Sequence, residues 1–243
     1  MMTLEFNEQK FKNTIKNMRL CQHENIVQFL GYCYYSEVEA LEYRKKLVMA
    51  EKQERLLCFQ YLSNGSLDLY VSGASSGLEW RERYQIIMGL CKGLHYIHGN
   101  NIIHMDLKPR HILLDDNMVP KISGFHLSKG FAEDQSQTLR QSSVMGTVGY
   151  IAPELKDRTA VSFKSDIYSL GVTITEILTG EKETCDTEKV VESWRTRLGT
   201  SCTDELLEQV RVCAEISIVC RDPNPEKRPD MKRVIEMLGE TDC

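Results

Sequence analysis

The stretch HMDLKPRHILLDDNMVPKISGFHLSK, residues 104–129, constrains the fold more than any other part of the sequence. Its segments HILL and PKIS are short strand candidates, and the turn-forming sequence DDNMVP separates them. Two charged residues, Asp106 and Lys108, precede the first candidate strand, and Gly124 follows the second. The stretch therefore predicts a short hairpin with chemically active side chains at its base.

The segments on either side of this hairpin predict mostly helices, and the two long strand candidates precede it. Residues 6–20 place Phe11, Ile15 and Met18 near a 3.6-residue period, which predicts an amphipathic helix, and NIVQFLGYCYY and RLLCFQYL predict two strands. Between these strands, the charged insert 36–55 fits neither a helix nor a strand cleanly, and we expect a solvated hairpin extension. Further helices are predicted by LEWRERYQIIMGLCKGLHYIHGN, SDIYSLGVTITEILTG, DELLEQVRVCAEISIVCRD and RPDMKRVIEMLGE.

Charge and composition exclude several classes of protein. The 30 basic and 35 acidic residues give a net charge of −5, which argues against nucleic acid or a polybasic membrane patch as a main partner. No run approaches the roughly 18 apolar residues of a membrane span, so we expect no transmembrane segment in this chain. The nine cysteines lack C-x-x-C or zinc-like spacing, which predicts reduced thiols that are buried or half-buried.

Several short motifs follow one another in a fixed order. His104-Met105-Asp106-Leu107-Lys108-Pro109 is followed by Gly124-Phe125-His126, then by Gly146-Thr147 and Ala152-Pro153-Glu154. In this order and spacing the chain resembles the protein-kinase catalytic core, whose motifs are H-R-D-L-K-P-x-N, D-F-G, G-T and A-P-E. The resemblance implies an α+β, protein-kinase-like fold with a β N-lobe, here reduced, and a mainly α-helical C-lobe.

The resemblance covers nearly the whole chain, and several segments match one particular group of protein kinases. NIVQFLGYC, RLLCFQYLSNGSLD, MGTVGYIAPEL and SDIYSLGV are similar to the plant receptor-like Ser/Thr kinases, and the long insert is similar to a variant in grass members of that group. The resemblance implies a partial N-lobe over residues 1–62, which contains one helix, two strands, the insert and the hinge. It also implies a C-lobe over residues 63–243. Because MMTLEFNEQK supplies neither the family's glycine-rich loop nor its V-A-I-K lysine, we expect a truncated N-lobe.

The resemblance implies that the substrate side of a Ser/Thr kinase site is retained. Asp106 matches the catalytic base, which accepts or orients the substrate hydroxyl. Lys108 matches the cation that steadies the transferring phosphate, and Thr147 matches the threonine that packs beside both.

The nucleotide side departs from the family's pattern. Gly124 stands where an aspartate should hold Mg²⁺, and His111 stands where an asparagine should hold a second Mg²⁺, although imidazole is a poor ligand for that ion. Thr14 occupies the position of the glutamate that pairs with the missing lysine. Met105 replaces an arginine that docks a phosphorylated loop, which places the chain in the recognised non-RD subgroup.

Other matches are to structural positions of the family. Met18, Phe29, His104 and Phe125 match the stacked hydrophobic column that joins the two lobes, and Asp166 matches its anchor. Glu154 and Arg228 match a structural ion pair. The hinge and adenine pocket correspond to Phe59, Gln60, Tyr61, Leu62 and Leu113.

The same residues limit the expected cofactors. His104, His111 and His126 lie close in the motif order, but His104 belongs to the column and only two candidate ligands remain, so we expect no metal site. ATP without metal is expected to bind weakly if it binds, and we expect no Mg²⁺.

We therefore expect a pseudokinase that acts as a signalling scaffold or regulator by binding other proteins, such as receptor-like kinases or their substrates. Such a chain would be cytoplasmic and would reach the inner face of the plasma membrane only through a partner. Two alternatives stay open. One is an active ATP-dependent Ser/Thr kinase with a non-standard site, and the other is an incomplete product of a receptor-like kinase gene, with the missing segments upstream.

Overall fold

The computed structural model describes residues 8–71, 77–130, 146–156, 161–183 and 186–239. Its helices are α1 (Glu8–Leu20), α2 (Asp68–Val71), α3 (Trp80–Gly99), α4 (Pro153–Lys156), α5 (Phe163–Thr179), α6 (Thr187–Leu198), α7 (Asp204–Cys220) and α8 (Met231–Gly239). Its strands are β1 (Phe29–Tyr43), β2 (Lys46–Phe59), β3 (Ile102–Ile103), β4 (Ile112–Leu114), β5 (Pro120–Ile122) and β6 (Lys129–Gly130). Three antiparallel pairs form among these strands: β1 with β2, β3 with β6, and β4 with β5.

The long hairpin of β1 and β2 contains the charged insert. Arg44 and Lys45 form its turn with φ angles of 52° and 60°, the left-handed conformation that a two-residue hairpin turn requires. The prediction of a hairpin extension over 36–55 is confirmed, and both strands run through it without interruption. Because nearly every residue there is exposed on both faces, the insert carries no alternation of apolar and polar residues that could have predicted a strand.

Helix α1 packs against the base of this hairpin. The rings of Phe11 and Tyr32 meet edge to face with centroids 6.1 Å apart, and the Arg55 guanidinium lies 5.5 Å from the Phe11 ring centroid. Two turns farther along the same side of α1, Met18 is buried in the core. The predicted helix is confirmed over residues 8–20, while residues 6 and 7 lie outside the described ranges.

Helix α3 forms the centre of the C-terminal part. It begins with a capping box in which Glu79 and Glu82 satisfy each other's backbone amides, and it ends before Asn100. A Cβ at Gly93 would lie 2.8 Å from the carbonyl oxygen of Asn25, so glycine allows the segment before β1 to approach the helix closely. The sequence predicted this long buried helix, and the structure confirms it.

The remaining large helices surround α3. Helix α5 is buried nearly all round and is capped by Ser162, and α7 and α8 form where the sequence predicted them. No prediction was made for α6, whose buried apolar residues are Val190, Val191 and Trp194 among many charged ones. The Trp194 ring packs against Trp80 at a centroid distance of 5.1 Å, so tertiary contact with α3 stabilises a helix whose sequence pattern is modest.

The cysteine prediction needs a correction. Among the described cysteines all are free thiols; four are buried and one is half-buried, but Cys33 and Cys58 are exposed on the long hairpin. Burial raises the pKa of Cys21 to about 12, which makes that thiol inert. Within the described residues, no helix is long and apolar enough to cross a membrane.

Candidate functional site

The loop between β3 and β4 carries most of the predicted site, and Asp166 of α5 holds its backbone. One carboxylate oxygen of Asp166 accepts from the amide of His104 and the other from the amide of Met105, both at 2.8 Å. Met105 has a φ of 72°, and a non-glycine residue in this left-handed region costs about 1–2 kcal/mol. The buried Asp166 therefore stabilises a strained turn that leads into Asp106.

Asp106, Lys108 and Thr147 form a hydrogen-bonded cluster. The Lys108 ammonium donates to Oδ2 of Asp106 at 3.0 Å, and the Thr147 hydroxyl donates to Oδ1 at 2.6 Å. The Lys108 ammonium also contacts the Thr147 hydroxyl. Burial alone would raise the pKa of Asp106, but these hydrogen bonds and the nearby positive charge outweigh it and hold the pKa below its usual value. The three residues that resemble the substrate side of a kinase site thus lie together, with an ionised carboxylate at their centre.

His111 and Gly124 share one small space beside this cluster. The His111 Nδ1 lies 2.8 Å from the carbonyl oxygen of Asp106, and because a carbonyl can only accept, Nδ1 carries the proton. Gly124 has a φ of 84°, and a Cβ placed there would lie 2.5 Å from the same Nδ1. The imidazole therefore fills the space into which a side chain at position 124 would project. Burial lowers the pKa of His111, so the ring is neutral at pH 7.

These residues do not fit a magnesium site of the kind that the resemblance implies. Mg²⁺ takes oxygen ligands in near-ideal octahedral geometry, whereas position 124 supplies no side-chain oxygen and His111 directs an N–H group at a carbonyl. His126 approaches Asp106 from another side, with 3.9 Å between Nε2 and Oδ2. Among the residues that the structure describes, no group of three or more His, Cys, Asp or Glu side chains is placed to hold a metal ion.

His104 occupies the centre of the predicted column. Its Nε2 lies 2.7 Å from the carbonyl oxygen of Ser123, its Nδ1 accepts from the Asp106 amide at 3.3 Å, and its ring meets Phe125 edge to face at 5.1 Å. Burial lowers the pKa of His104, in agreement with a neutral ring that donates through Nε2. Met18 and Phe125 belong to one buried core cluster, and Phe29 packs against it. The five residues of the predicted column and its anchor thus lie in or against one core.

Sequence reasoning missed three polar contacts that support the site. His98 lies 3.0 Å from Asp166 through its Nε2, and the buried Asn17 of α1 donates to the Ser128 hydroxyl at 3.2 Å. The Ser123 carbonyl orients His104. None of these residues belongs to a recognisable motif, and only the polar character of Asn17 on the buried side of an amphipathic helix could have pointed to such a role. Thr14 also lies on the buried side of α1.

The predicted hinge follows β2. Phe59 lies against Phe29 with ring centroids 5.7 Å apart, the amide of Gln60 donates to the Gln28 carbonyl at 3.0 Å, and Tyr61 is largely exposed. Leu62 is buried, and Leu113 lies in β4 and forms a β-bridge to Ser66. Of the residues assigned to the hinge and adenine pocket, Leu62 is therefore buried and Leu113 is half-buried, whereas the other three are exposed.

Glu154 and Arg228, which match the predicted structural pair, form a bidentate ion pair. The two terminal nitrogens of Arg228 each donate to one oxygen of Glu154, both at 2.8 Å. The buried guanidinium also donates to the carbonyls of Asp222 and Lys164 and lies over the Tyr168 ring. This pair joins α4 to the segment that precedes α8.

Comparison with known proteins agrees with the motif order and the fold. A sequence profile described as protein tyrosine and serine/threonine kinase matches residues 2–238. Similar Arabidopsis thaliana proteins include the G-type lectin S-receptor-like serine/threonine-protein kinase RKS1, 34% identical over 95% of this chain and 28% of the relative. PR5-like receptor kinase is 35% identical over 96% of this chain and 36% of its own length, and cysteine-rich receptor-like protein kinase 44 is 34% identical over 96% and 63%.

The chain spans between about a quarter and two thirds of the length of these curated relatives. The match itself extends over almost all of this chain, and it includes the helical C-terminal part and the loop around Asp106. The chain belongs to the protein kinase family, with a kinase domain of the plant receptor-like serine/threonine type.

Proposed function

We propose that this kinase domain transfers phosphate at a negligible rate and acts by binding other proteins, namely receptor-like kinases or their substrates. The observation that carries the proposal is the shared space of His111 and Gly124, because an imidazole stands where metal ligands are needed. Both residues lie inside the chain, so the proposal holds whether or not further segments precede it. The large helical core supports a stable domain that can present binding surfaces.

The expected loss of rate is large. If metal positioning supplies about 4–6 kcal/mol of transition-state stabilisation, its absence lowers the rate roughly a thousandfold to ten-thousandfold. Protein kinases turn over at about 1–100 per second, so the remaining rate would be roughly 0.0001–0.1 per second.

A second candidate function is Ser/Thr phosphorylation by a non-standard route. The cluster of Asp106, Lys108 and Thr147 favours it, because the carboxylate is ionised and held within 3.0 Å of the Lys108 ammonium. A substrate hydroxyl could be oriented by this group. The nucleotide would then have to be held by other means than side-chain metal ligands at 111 and 124.

Ligand-induced stabilisation separates the two functions. The chain is heated with ATP alone, with ATP and Mg²⁺, and with ATP and Mn²⁺; a ligand at about 100 times its dissociation constant adds about 2.7 kcal/mol to the stability of the folded state. We expect no increase in melting temperature that depends on metal. A rise only when metal is present would contradict the proposal.

A phosphotransfer assay on a general protein substrate supplies the second arm of the experiment. Wild type and Asp106→Asn are compared, since the variant removes the base position and keeps the shape of the side chain. We expect equal, background incorporation of phosphate. Ordinary kinase turnover that Asp106→Asn abolishes would establish the active enzyme instead.

A further inference from the structure

A cavity of about 630 Å³ lies between the end of α1, residues 21–28, the predicted hinge and β5. Its volume falls in the range of small-ligand sites, about 300–1,000 Å³. Asp106, Lys108 and Thr147 take no part in its walls, so it is separate from the candidate active site. The polar side chains in its walls are basic groups and amides: Arg19, Gln22, His23, Gln28, Gln60 and Lys121. Among the described residues no carboxylate lines the cavity, although the chain carries a net charge of −5.

Most of these polar groups are not engaged inside the protein. Within the described ranges, no hydrogen bond or ion pair engages the Arg19 guanidinium. The same holds for the side-chain amides of Gln22, Gln28 and Gln60. A guanidinium carries a full positive charge and several N–H donors, and each amide adds further donors. The wall can therefore bind a ligand that offers several acceptor oxygens.

His23 and Lys121 add donors to the same cavity. The His23 Nδ1 accepts from the amide of Asn25 at 3.0 Å, so the proton of the neutral ring is on Nε2, which can donate. The Lys121 ammonium donates to the Glu24 carbonyl at 2.7 Å and lies 3.3 Å from a carboxylate oxygen of Asp115. An ammonium has more N–H donors than these two contacts use. Because Asp115 offsets the charge of Lys121, the main cation of the cavity is Arg19.

Protein donors already occupy the backbone acceptors at the end of α1. The carbonyls of Asn17 and Met18 accept from the Cys21 amide at 3.2 and 3.3 Å. The Leu20 carbonyl accepts from the Tyr96 hydroxyl at 3.3 Å. The C-terminal end of a helix carries partial negative charge on its carbonyls, which would repel an anion if they were left bare. These bonds offset that charge, so the cavity presents mainly donors.

We propose that the cavity binds a phosphate monoester, namely that of a phosphorylated serine or threonine in a partner protein. Such a group carries a charge of about −1.5 to −2 at pH 7 and several acceptor oxygens, which complement the guanidinium and the amide donors. The source of the phosphate rests on the proposed function, because receptor-like kinases and the substrates of Ser/Thr kinases carry phosphorylated hydroxyl groups. Free phosphate would use the same donors, so the experiment compares the two sources.

The test is an NMR titration of the chain with three probes: the capped tripeptide Gly-phosphoserine-Gly, its unphosphorylated form and inorganic phosphate. Wild type is expected to bind the phosphopeptide and to show no binding of the unphosphorylated form. Inorganic phosphate is expected to bind more weakly, because it fills less of the cavity. Equal affinity for inorganic phosphate would overturn the assignment to a partner protein, and no binding of the phosphopeptide would overturn the site itself.

Variants of the cavity wall locate the binding. Arg19→Gln removes the main cation and is expected to raise the dissociation constant of the phosphopeptide about tenfold or more. Gln28→Glu adds a negative charge to the wall and is expected to weaken binding too. The matched control is Lys16→Gln, which removes a positive charge from an exposed position of the same helix outside the cavity. It is expected to bind like wild type, and equal melting temperatures show that the variants are folded. Equal weakening in Arg19→Gln and Lys16→Gln would overturn the proposal.

The His23 ring supplies a readout within the cavity. Burial lowers the pKa of His23, Glu24 opposes this shift, and Lys92 and Lys121 add to it. A bound anion favours the charged imidazole, so saturating phosphopeptide is expected to raise the pKa of this ring, as followed by its C–H resonances. An unchanged pKa at saturation would place the ligand elsewhere and overturn the proposal.

This proposal and the proposed function fail separately. Metal-dependent ATP binding would overturn the proposed function and leave the dependence of phosphopeptide binding on Arg19 untouched. Absence of phosphopeptide binding would leave the shared space of His111 and Gly124 as it is.

Discussion

At the scale of single residues, the two departures from the family's metal site depend on each other. Gly124 provides the space and the positive φ, and His111 fills that space while donating to the Asp106 carbonyl. Read along the chain, each departure removes one ligand. In three dimensions they form one contact, because restoring a side chain at 124 requires His111 to leave.

The first prediction concerns this contact. Gly124→Asp is expected to lower the free energy of unfolding by about 2–5 kcal/mol, because overpacking costs roughly 1–3 kcal/mol and the left-handed backbone adds about 1–2 kcal/mol. In the double variant His111→Asn/Gly124→Asp the smaller amide vacates the space. Urea denaturation of the four proteins of this cycle is expected to give a favourable interaction energy of at least about 1 kcal/mol.

Gly149→Ala is the matched control, compared with Gly124→Ala. Gly149 has a φ of 96°, close to that of Gly124, but a Cβ there meets only Lys182 Cδ at an ordinary 3.5 Å. The control therefore carries backbone strain without a steric clash and should cost less than Gly124→Ala. Equal costs at both positions, together with additive effects in the double variant, would show that His111 does not occupy the space.

At the scale of elements, buried polar contacts join helices that the sequence presents separately. Arg228 precedes α8, Glu154 belongs to α4, and the Arg228 guanidinium is almost fully buried between Glu154 and Tyr168. A charge in such a place is stable only while its partner is present. The pair therefore holds α4 beside the C-terminal helices.

The second prediction follows from this pair. Glu154→Gln leaves the buried guanidinium without its counter-charge and is expected to destabilise the fold by about 3–5 kcal/mol. The comparison is Glu236→Gln, which removes the acidic partner of Arg233 in a pair whose side chains are about half exposed. Thermal unfolding should show a change within about 0.5 kcal/mol for that variant. Similar small effects for both variants would contradict a buried, stabilising pair.

The long hairpin of β1 and β2 differs from these helices, which buried contacts join to one another. It extends from the body of the protein, and most of its residues are exposed on both faces. A two-stranded hairpin is marginally stable alone in water, so the contacts of Phe11 with Tyr32 and Arg55 at its base help to stabilise it.

At the scale of the whole molecule, buried and half-buried histidines couple stability to pH. Burial lowers the pKa of His23, His104 and His111 below the ordinary value of 6.5. In the pH range between the folded and unfolded pKa values, the unfolded chain binds more protons than the folded chain. The free energy of unfolding therefore falls as the pH falls below 6.5, and Asp106, whose pKa is also lowered, adds a further loss below 3.8.

The third prediction uses this dependence. The free energy of unfolding is measured by urea denaturation at several values between about pH 7 and pH 5, where each histidine contributes at most about 1.4 kcal/mol per pH unit. His111→Asn removes one contribution and is expected to give a shallower slope than wild type. An unaltered slope in His111→Asn would mean that this ring is not held neutral by burial.

Much of the fold could be predicted because its signals are local. The buried stripes of α3 and α5 repeat at helical spacing, and the motif order around Asp106, Phe125 and Glu154 identified the family without coordinates. The sequence did not predict features that depend on contacts between distant segments or on the exposure of a whole element. Helix α6 depends on the contact of Trp194 with Trp80, and the exposure of Cys33 and Cys58 depends on a hairpin with two open faces.

The sequence by itself determined which side chains are present at each position of the site: Asp106, Lys108 and Thr147 are kept, and no carboxylate stands at 124. Only the tertiary structure decided that the His111 ring occupies the space beside Gly124 and that the Trp194 ring of α6 packs against Trp80. The reason is physical. Residue identity and periodicity are properties of neighbouring positions, whereas shared space and ring contacts arise only when distant segments pack together.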